Sequence, residues 1–208
     1  MDAWLADIGV RPAGRVERDG ATAWDLLLDG RRCAGLRVTL IFQPGLGLIA
    51  WLPYAPPLRD NHRRAYQQLL QWNDELPFVK FGLDADLRPV LSVEIALDSA
   101  GAGALGLALA RVLAVCDHLA NAAPPWLRPA VASPADGALS SPGIALLERH
   151  AAELTELTGL DRPTEAVEPT EVAELAEVAE PADAPARLVG GDRAARDGVP
   201  GSEEAGRS

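Results

Sequence analysis

The chain has 208 residues, of which 48% are hydrophobic, and a formal net charge of −11. Residues 1–128 hold every Trp, Tyr and Phe and carry 13 Lys and Arg against 14 Asp and Glu, whereas residues 129–208 carry 6 against 16. A nearly neutral, core-forming part is thus followed by an acidic one that repels phosphates and anionic lipid headgroups, so neither nucleic acid nor a membrane surface is an expected partner.

In chain order, residues 1–9 predict a short helix with Trp4, Leu5 and Ile8 on one face and Gly9 as its stop. Residues 11–21, with Pro12, Gly14 and Gly20, read as a polar loop. The first expected strand is 23–28, ended by the turn signal Asp29-Gly30. The second is 33–42, where Leu36, Val38, Leu40 and Phe42 alternate with Arg37, Thr39 and Ile41. The third is 46–52, with Leu46, Leu48, Ala50 and Leu52 toward the core and Ile49 and Trp51 toward the opposite face. A helix should start at the N-cap Asp60 and run to about Asp74, with Tyr66, Leu69, Leu70 and Asn73 on one face. Strands 78–83 and 90–97 follow, joined by the polar turn 84–88. A core helix spans roughly 103–121, its buried stripe marked by Leu105, Leu109, Val112, Cys116 and Leu119. The order α-β-β-β-α-β-β-α, with strands joined by hairpins, predicts an α+β fold: an antiparallel sheet of about five strands with helices packed on it.

The chain divides by composition into a domain at 1–122, a Pro- and Ala-rich linker at 123–141, an amphipathic helix at 142–160 and an acidic tail at 161–208. Ser141 and Pro142 suit an N-cap and first turn, and Ile144, Leu147, Ala151 and Leu154 form the apolar face of that helix. From Glu165 to Glu180 a Glu recurs at every third position with no core-forming pattern, so disorder is expected there.

Residues 1–20 lack the charged start and apolar run of a signal peptide. The longest apolar stretch, 102–116, is short, Gly-broken and contains Arg111, so no membrane span is expected and the protein is read as cytoplasmic. The two cysteines, Cys33 and Cys116, lack CxxC spacing and read as buried structural thiols rather than a disulfide framework or a nucleophile. Asp84 and Asp86 lack the further oxygen donors of a calcium loop and read as turn residues. His62, His118 and His150 show no metal-ligand spacing, and Gly101, Gly103 and Gly106 lack the Gly-Lys-Ser/Thr of a phosphate loop. Arg59, Arg63 and Arg64 cluster at a helix start and read as a solvated face. No catalytic, cofactor-binding or metal-binding residue emerges, so neither an enzyme nor a cofactor is expected.

The segment 69–84, LLQWNDELPFVKFGLD, resembles the YbjN domain family, described as bacterial sensory transduction regulators. In that family a helix carrying an Asn leads into Leu-Pro-Phe, an aromatic-Gly pair and an acidic turn. Asn73, Leu76, Pro77, Phe78, Phe81, Gly82, Asp84 and Asp86 sit in that pattern, and Leu87 departs from it where a Gly would complete the turn. The resemblance covers roughly 1–122. It implies a fold similar to type III secretion chaperones, in which α+β protomers dimerise and bind an extended segment of a partner. It carries over no catalytic residues.

Ile41, Ile49 and Trp51 project opposite the alternating core rows of their strands. Either a helix covers that face, or it is a surface for dimerisation or partner binding. The resulting expectation is a homodimeric, chaperone-like or regulatory module that binds an unidentified protein partner through Ile41, Ile49 and Trp51. The alternative is a small-molecule sensor with a pocket between sheet and helices. Within the 78–83 strand, Phe81 rather than Phe78 should anchor the core, because Val79 and Leu83 share its face.

Overall fold

The computed structural model describes residues 1–60, 62–129 and 141–158. The elements are α1 (Asp2–Asp7), β1 (Gly14–Arg18), β2 (Ala21–Leu28), β3 (Leu36–Gln43), β4 (Gly47–Pro53), α2 (His62–Glu75), β5 (Lys80–Leu83), β6 (Pro89–Ile95), α3 (Ala102–Ala122), α4 (Pro142–Arg149) and α5 (Thr155–Thr158). The fold is α+β, as the order of elements predicts. The sheet, however, has six strands in the order β1-β2-β3-β4-β6-β5, every pair antiparallel.

The additional strand is β1, inside the segment expected to be a loop. Its sequence, Gly-Arg-Val-Glu-Arg, has one apolar residue among charges and therefore no alternating core signal. It is held by register: Arg18 pairs with Ala21 across Asp19 and Gly20. Both turn residues have positive φ, 51° and 79°, as a two-residue type I′ hairpin requires. The Asp29-Gly30 signal, by contrast, does not close a tight hairpin, because β3 starts only at Leu36. Leu46, expected in the core, lies before β4 and is exposed.

One sheet face is the core face. Leu26, Leu28, Val38, Leu40, Leu48, Ala50, Leu52, Leu91 and Val93 are all buried on it. On the pleat these residues alternate with their outward neighbours, as the sequence pattern requires. Helix α3 packs against β4 and β6, and α2 against β5. Helix α2 buries Ala65, Leu69 and Trp72, while Tyr66 and Leu70, expected on its buried face, are exposed.

The compact unit runs from Met1 to Pro163, beyond the boundary expected near residue 122. Helices α4 and α5 pack on α3, and Leu127, Ile144, Leu146, Leu147, Leu154 and Leu157 join the common core. Ser141 caps α4, its Oγ accepting the Ile144 N–H at 3.3 Å. Gly143 sits so close to the 29–35 connection that a Cβ there would stand 2.1 Å from the Asp29 carbonyl oxygen. Covered by the sheet on one side and by α4 and α5 on the other, α3 is apolar almost all round. The whole helix is therefore long and apolar enough to cross a membrane by length and composition, as a core helix can be, and 61% of the window that meets this test is buried inside the fold. The expected tail at 161–208 lies outside the described residues.

Candidate protein-interaction face

At one end of the sheet the motif residues form a single joint between α2 and β5. The Asn73 side chain bonds both backbone groups of Phe81: its Oδ1 accepts the N–H at 2.6 Å and its Nδ2 donates to the carbonyl at 3.0 Å. Asn73 thus occupies the place of a further strand at the β5 edge. Phe81 is buried, as expected, with its ring 5.1 Å from Trp72 and 5.2 Å from Tyr54. Leu76 and Val79 are buried beside them. Phe78 turns outward at φ 66°, 54% exposed, with the Arg111 guanidinium of α3 4.0 Å from its ring centre. Asp84 caps the following turn, its Oδ1 accepting the N–H groups of Asp86 and Arg88 at 2.9 Å. A carboxylate so engaged is a turn device. Leu87, which stands where the family pattern has Gly, is held at φ 57°.

The face opposite the core presents the residues singled out in the sequence. Ile41 pairs with Ile49 and with Ala23, and Val16 of β1 extends that row to the sheet edge. Trp51 stands between Thr39 and Ser92 in the adjacent row. Ile41, Ile49 and Trp51 are half-buried, and Val16 and Leu27 on the same face are 60% and 63% exposed. Among the described residues no helix lies over this row. Polar pairs flank the apolar strip: Thr39 Oγ1 donates to Asp25 at 2.8 Å, and Lys80 reaches Glu94 at 3.2 Å. An apolar centre with a polar rim is the anatomy of a protein contact surface.

The other candidates have structural uses. Asp117, which the sequence did not single out, is buried on α3 and accepts three backbone N–H groups of the β2–β3 connection, from Arg31 at 2.6 Å, Arg32 at 2.7 Å and Cys33 at 3.1 Å. Gly30 is required beside it, since a Cβ there would lie 2.5 Å from Asp117 Oδ1. This clamp joins residues 84 or more positions apart in the chain, so no local pattern could reveal it. Cys33 and Cys116 are fully buried, and the Cys33 thiol points to the Cys116 carbonyl at 3.4 Å. Burial first, then the Asp117 carboxylate, pushes the Cys33 pKa up to about 11, with Arg32 opposing. Burial likewise raises Cys116, so neither thiol is poised as a nucleophile at neutral pH. His150 is buried against Gly106, His118 is half-buried, and His62 lies at the start of α2 near the Arg59 carbonyl. A cleft of about 430 Å³ opens between α3, α4 and the β2–β3 connection, bordered by Arg31, Arg32 and His118 over Ala114, Leu147 and Leu154.

Fold and surface together define an α+β domain with its helices on one sheet face and an apolar strip on the other. The family model for YbjN, described as "Putative bacterial sensory transduction regulator", matches residues 1–124, and the chain belongs to that family. The match ends just after α3, so α4 and α5 lie beyond it. No curated protein matches the chain in sequence.

Proposed function

We propose that the protein is a non-enzymatic regulatory module that binds a segment of a partner protein on the outer face of its sheet, through Ile41, Ile49 and Trp51. The observation that supports this most is the apolar row Val16–Ala23–Ile41–Ile49 beside Trp51, on a face that carries no helix among the described residues. Burying such a strip against a partner removes apolar surface from water, at roughly 25 cal/mol per Å². The family's description as a regulator agrees with a role exercised through contact. A chaperone-like grip on an extended segment, which the family resemblance implies, would use the same surface. The test is affinity capture with the full chain and two variants. Trp51→Glu, on the strip, should lose a specific partner that Leu70→Glu, on the exposed side of α2, retains. Equal capture by both variants would place the contact elsewhere.

A second reading is favoured by the cleft beside α4. Its two arginines stand above a floor of Ala114, Leu147 and Leu154, beside an Asp117 carboxylate already engaged by backbone N–H groups, and suit a small organic anion. Thermal-shift screening with carboxylates and phosphates, repeated on Arg31→Ala/Arg32→Ala, separates this reading from the first.

A further inference from the structure

Helix α4 meets α3 along a joint that is imperfect at one place and open at another. The imperfect place is His150, buried at the C-terminal end of α4. A Cβ on Gly106 of α3 would stand 2.9 Å from its Nε2, in a spot bordered also by Ile8 and Leu146. Neither ring nitrogen has a hydrogen-bond partner among the described residues. The Glu153 carboxylate stands 3.6 Å from Nδ1, beyond hydrogen-bond reach. Burial without a hydrogen bond costs free energy that is recovered when the ring returns to water, so this contact holds α4 only weakly.

The open place is the cleft of about 430 Å³. Its walls differ in firmness. On one side the β2–β3 connection is pinned to α3, because Asp117 accepts the N–H groups of Arg31, Arg32 and Cys33. The side chains of Arg31 and Arg32 thus stand on a fixed base, and neither guanidinium enters a hydrogen bond or ion pair among the described residues. On the other side Leu147, Ala151 and Leu154 belong to α4 and the turn after it. This is the wall that carries His150, and it lies beyond the family match, which ends at residue 124.

We infer that the cleft is a ligand-operated latch, in which an organic anion with an apolar body bridges Arg31 and Arg32 to Leu147 and Leu154 and so holds α4 and α5 on α3. This rests on the second reading of the function, and it adds the shape of the ligand and what its binding controls. A carboxylate or phosphate head group suits the paired guanidiniums, with the half-buried His118 beside them. The volume admits a body of about the size of a ring, near the lower end of the range of roughly 300–1,000 Å³ for small-molecule sites. Only a ligand with such a body touches the leucines of the movable wall. When α4 leaves, that half of the site leaves with it, so the ligand binds the docked state more tightly and shifts the population toward it. A bare inorganic ion contacts the fixed wall alone and has no such preference.

The experiment is hydrogen exchange on the full-length chain, read by mass spectrometry over residues 142–158, with binding measured by calorimetry. The probes are phenylbutyrate and phenyl phosphate, which separate the two head groups. Phenylbutanol, without a charge, and inorganic phosphate, without an apolar body, are the controls. At about 100 times its Kd, an anion that binds only the docked state should slow exchange in α4 by about 100-fold. The controls should not. Arg31→Ala/Arg32→Ala should lose the effect, since it removes both guanidiniums and keeps the main-chain bonds to Asp117. His150→Leu should slow α4 exchange with no ligand present, because it removes the two unpartnered nitrogens. Binding of either anion with α4 exchange unchanged overturns the inference and leaves the second reading standing. Binding of neither anion ends both. Equal protection by inorganic phosphate or by phenylbutanol overturns the ligand class, and α4 exchange in His150→Leu as fast as in wild type removes the weak joint on which the latch depends.

Discussion

The two ends of the sheet were built by different means. At the β5 end, α2 and β5 are joined by paired side-chain bonds from Asn73, an aromatic cluster of Tyr54, Trp72 and Phe81, and a carboxylate-capped turn at Asp84. At the β1 end, a short charged strand is held by a tight turn, a ladder to β2 and the reach of Arg15 to Asp2 and over Trp24. Stability is therefore concentrated where the edge is closed, and the open edge and the adjoining apolar strip are free for contact. A region that contributes little to the core can change its surface residues at small cost to folding, so a binding surface is better placed there.

The largest test of this contrast is Phe81→Ala. Truncating a buried aromatic ring should cost roughly 3–5 kcal/mol. The matching truncation at the open end, Val16→Ala, should leave the monomer's urea midpoint nearly unchanged, because Val16 is 60% exposed. Comparable losses from both would erase the distinction. Next comes Asn73→Ala, which leaves the Phe81 N–H and carbonyl without their partner and should cost about 2 kcal/mol. A second phenotype should accompany it: with the β5 edge uncovered, the variant should aggregate faster than wild type at equal stability.

A smaller effect compares the two turns. Leu87 and Asp19 both hold positive φ, 57° and 51°. A leucine there costs about 1–2 kcal/mol of strain, whereas Asp tolerates the conformation through local hydrogen bonding. Leu87→Gly should therefore raise the unfolding free energy, by less than about 1 kcal/mol once the entropy of Gly is counted, and Asp19→Gly should raise it less. The smallest effect lies at the seam between the β2–β3 connection and α3. The Cys33 pKa stands at about 11 in the folded chain against an ordinary 9.0. The unfolded thiol ionises first, so the stability this group contributes is full below pH 9 and is lost as pH rises through 11. The difference in urea midpoint between wild type and Cys33→Ala should shrink over that window. A difference independent of pH would show that the thiol is not held in its neutral form.

What could be read from the sequence follows the same division. The alternation in β3 and β4 predicts the core face and the outward Ile41, Ile49 and Trp51, because a period of two is a local signal. The α2–β5 joint was legible as a family pattern, although the bonds from Asn73 to Phe81 explain why that pattern holds together. Strand β1 was not legible, since an edge strand with one valine has no core period. The clamp of Asp117 on residues 31–33 was hidden because its partners are far apart in the chain. The packing of α4 on α3 was hidden for a related reason: an amphipathic face announces that it will be buried, but not against what.

The central claim is that the outer sheet face is the working surface, and site-specific photo-crosslinking in bacterial cells tests it most directly. A benzophenone side chain replaces Ile49 on the strip or, as the control, Leu70 on the exposed side of α2. The account predicts a discrete protein adduct from position 49 that is absent from position 70 and is lost when Trp51→Glu is added. Adducts of the same pattern from both positions, or none from position 49 in cells where the protein is folded and abundant, would contradict it.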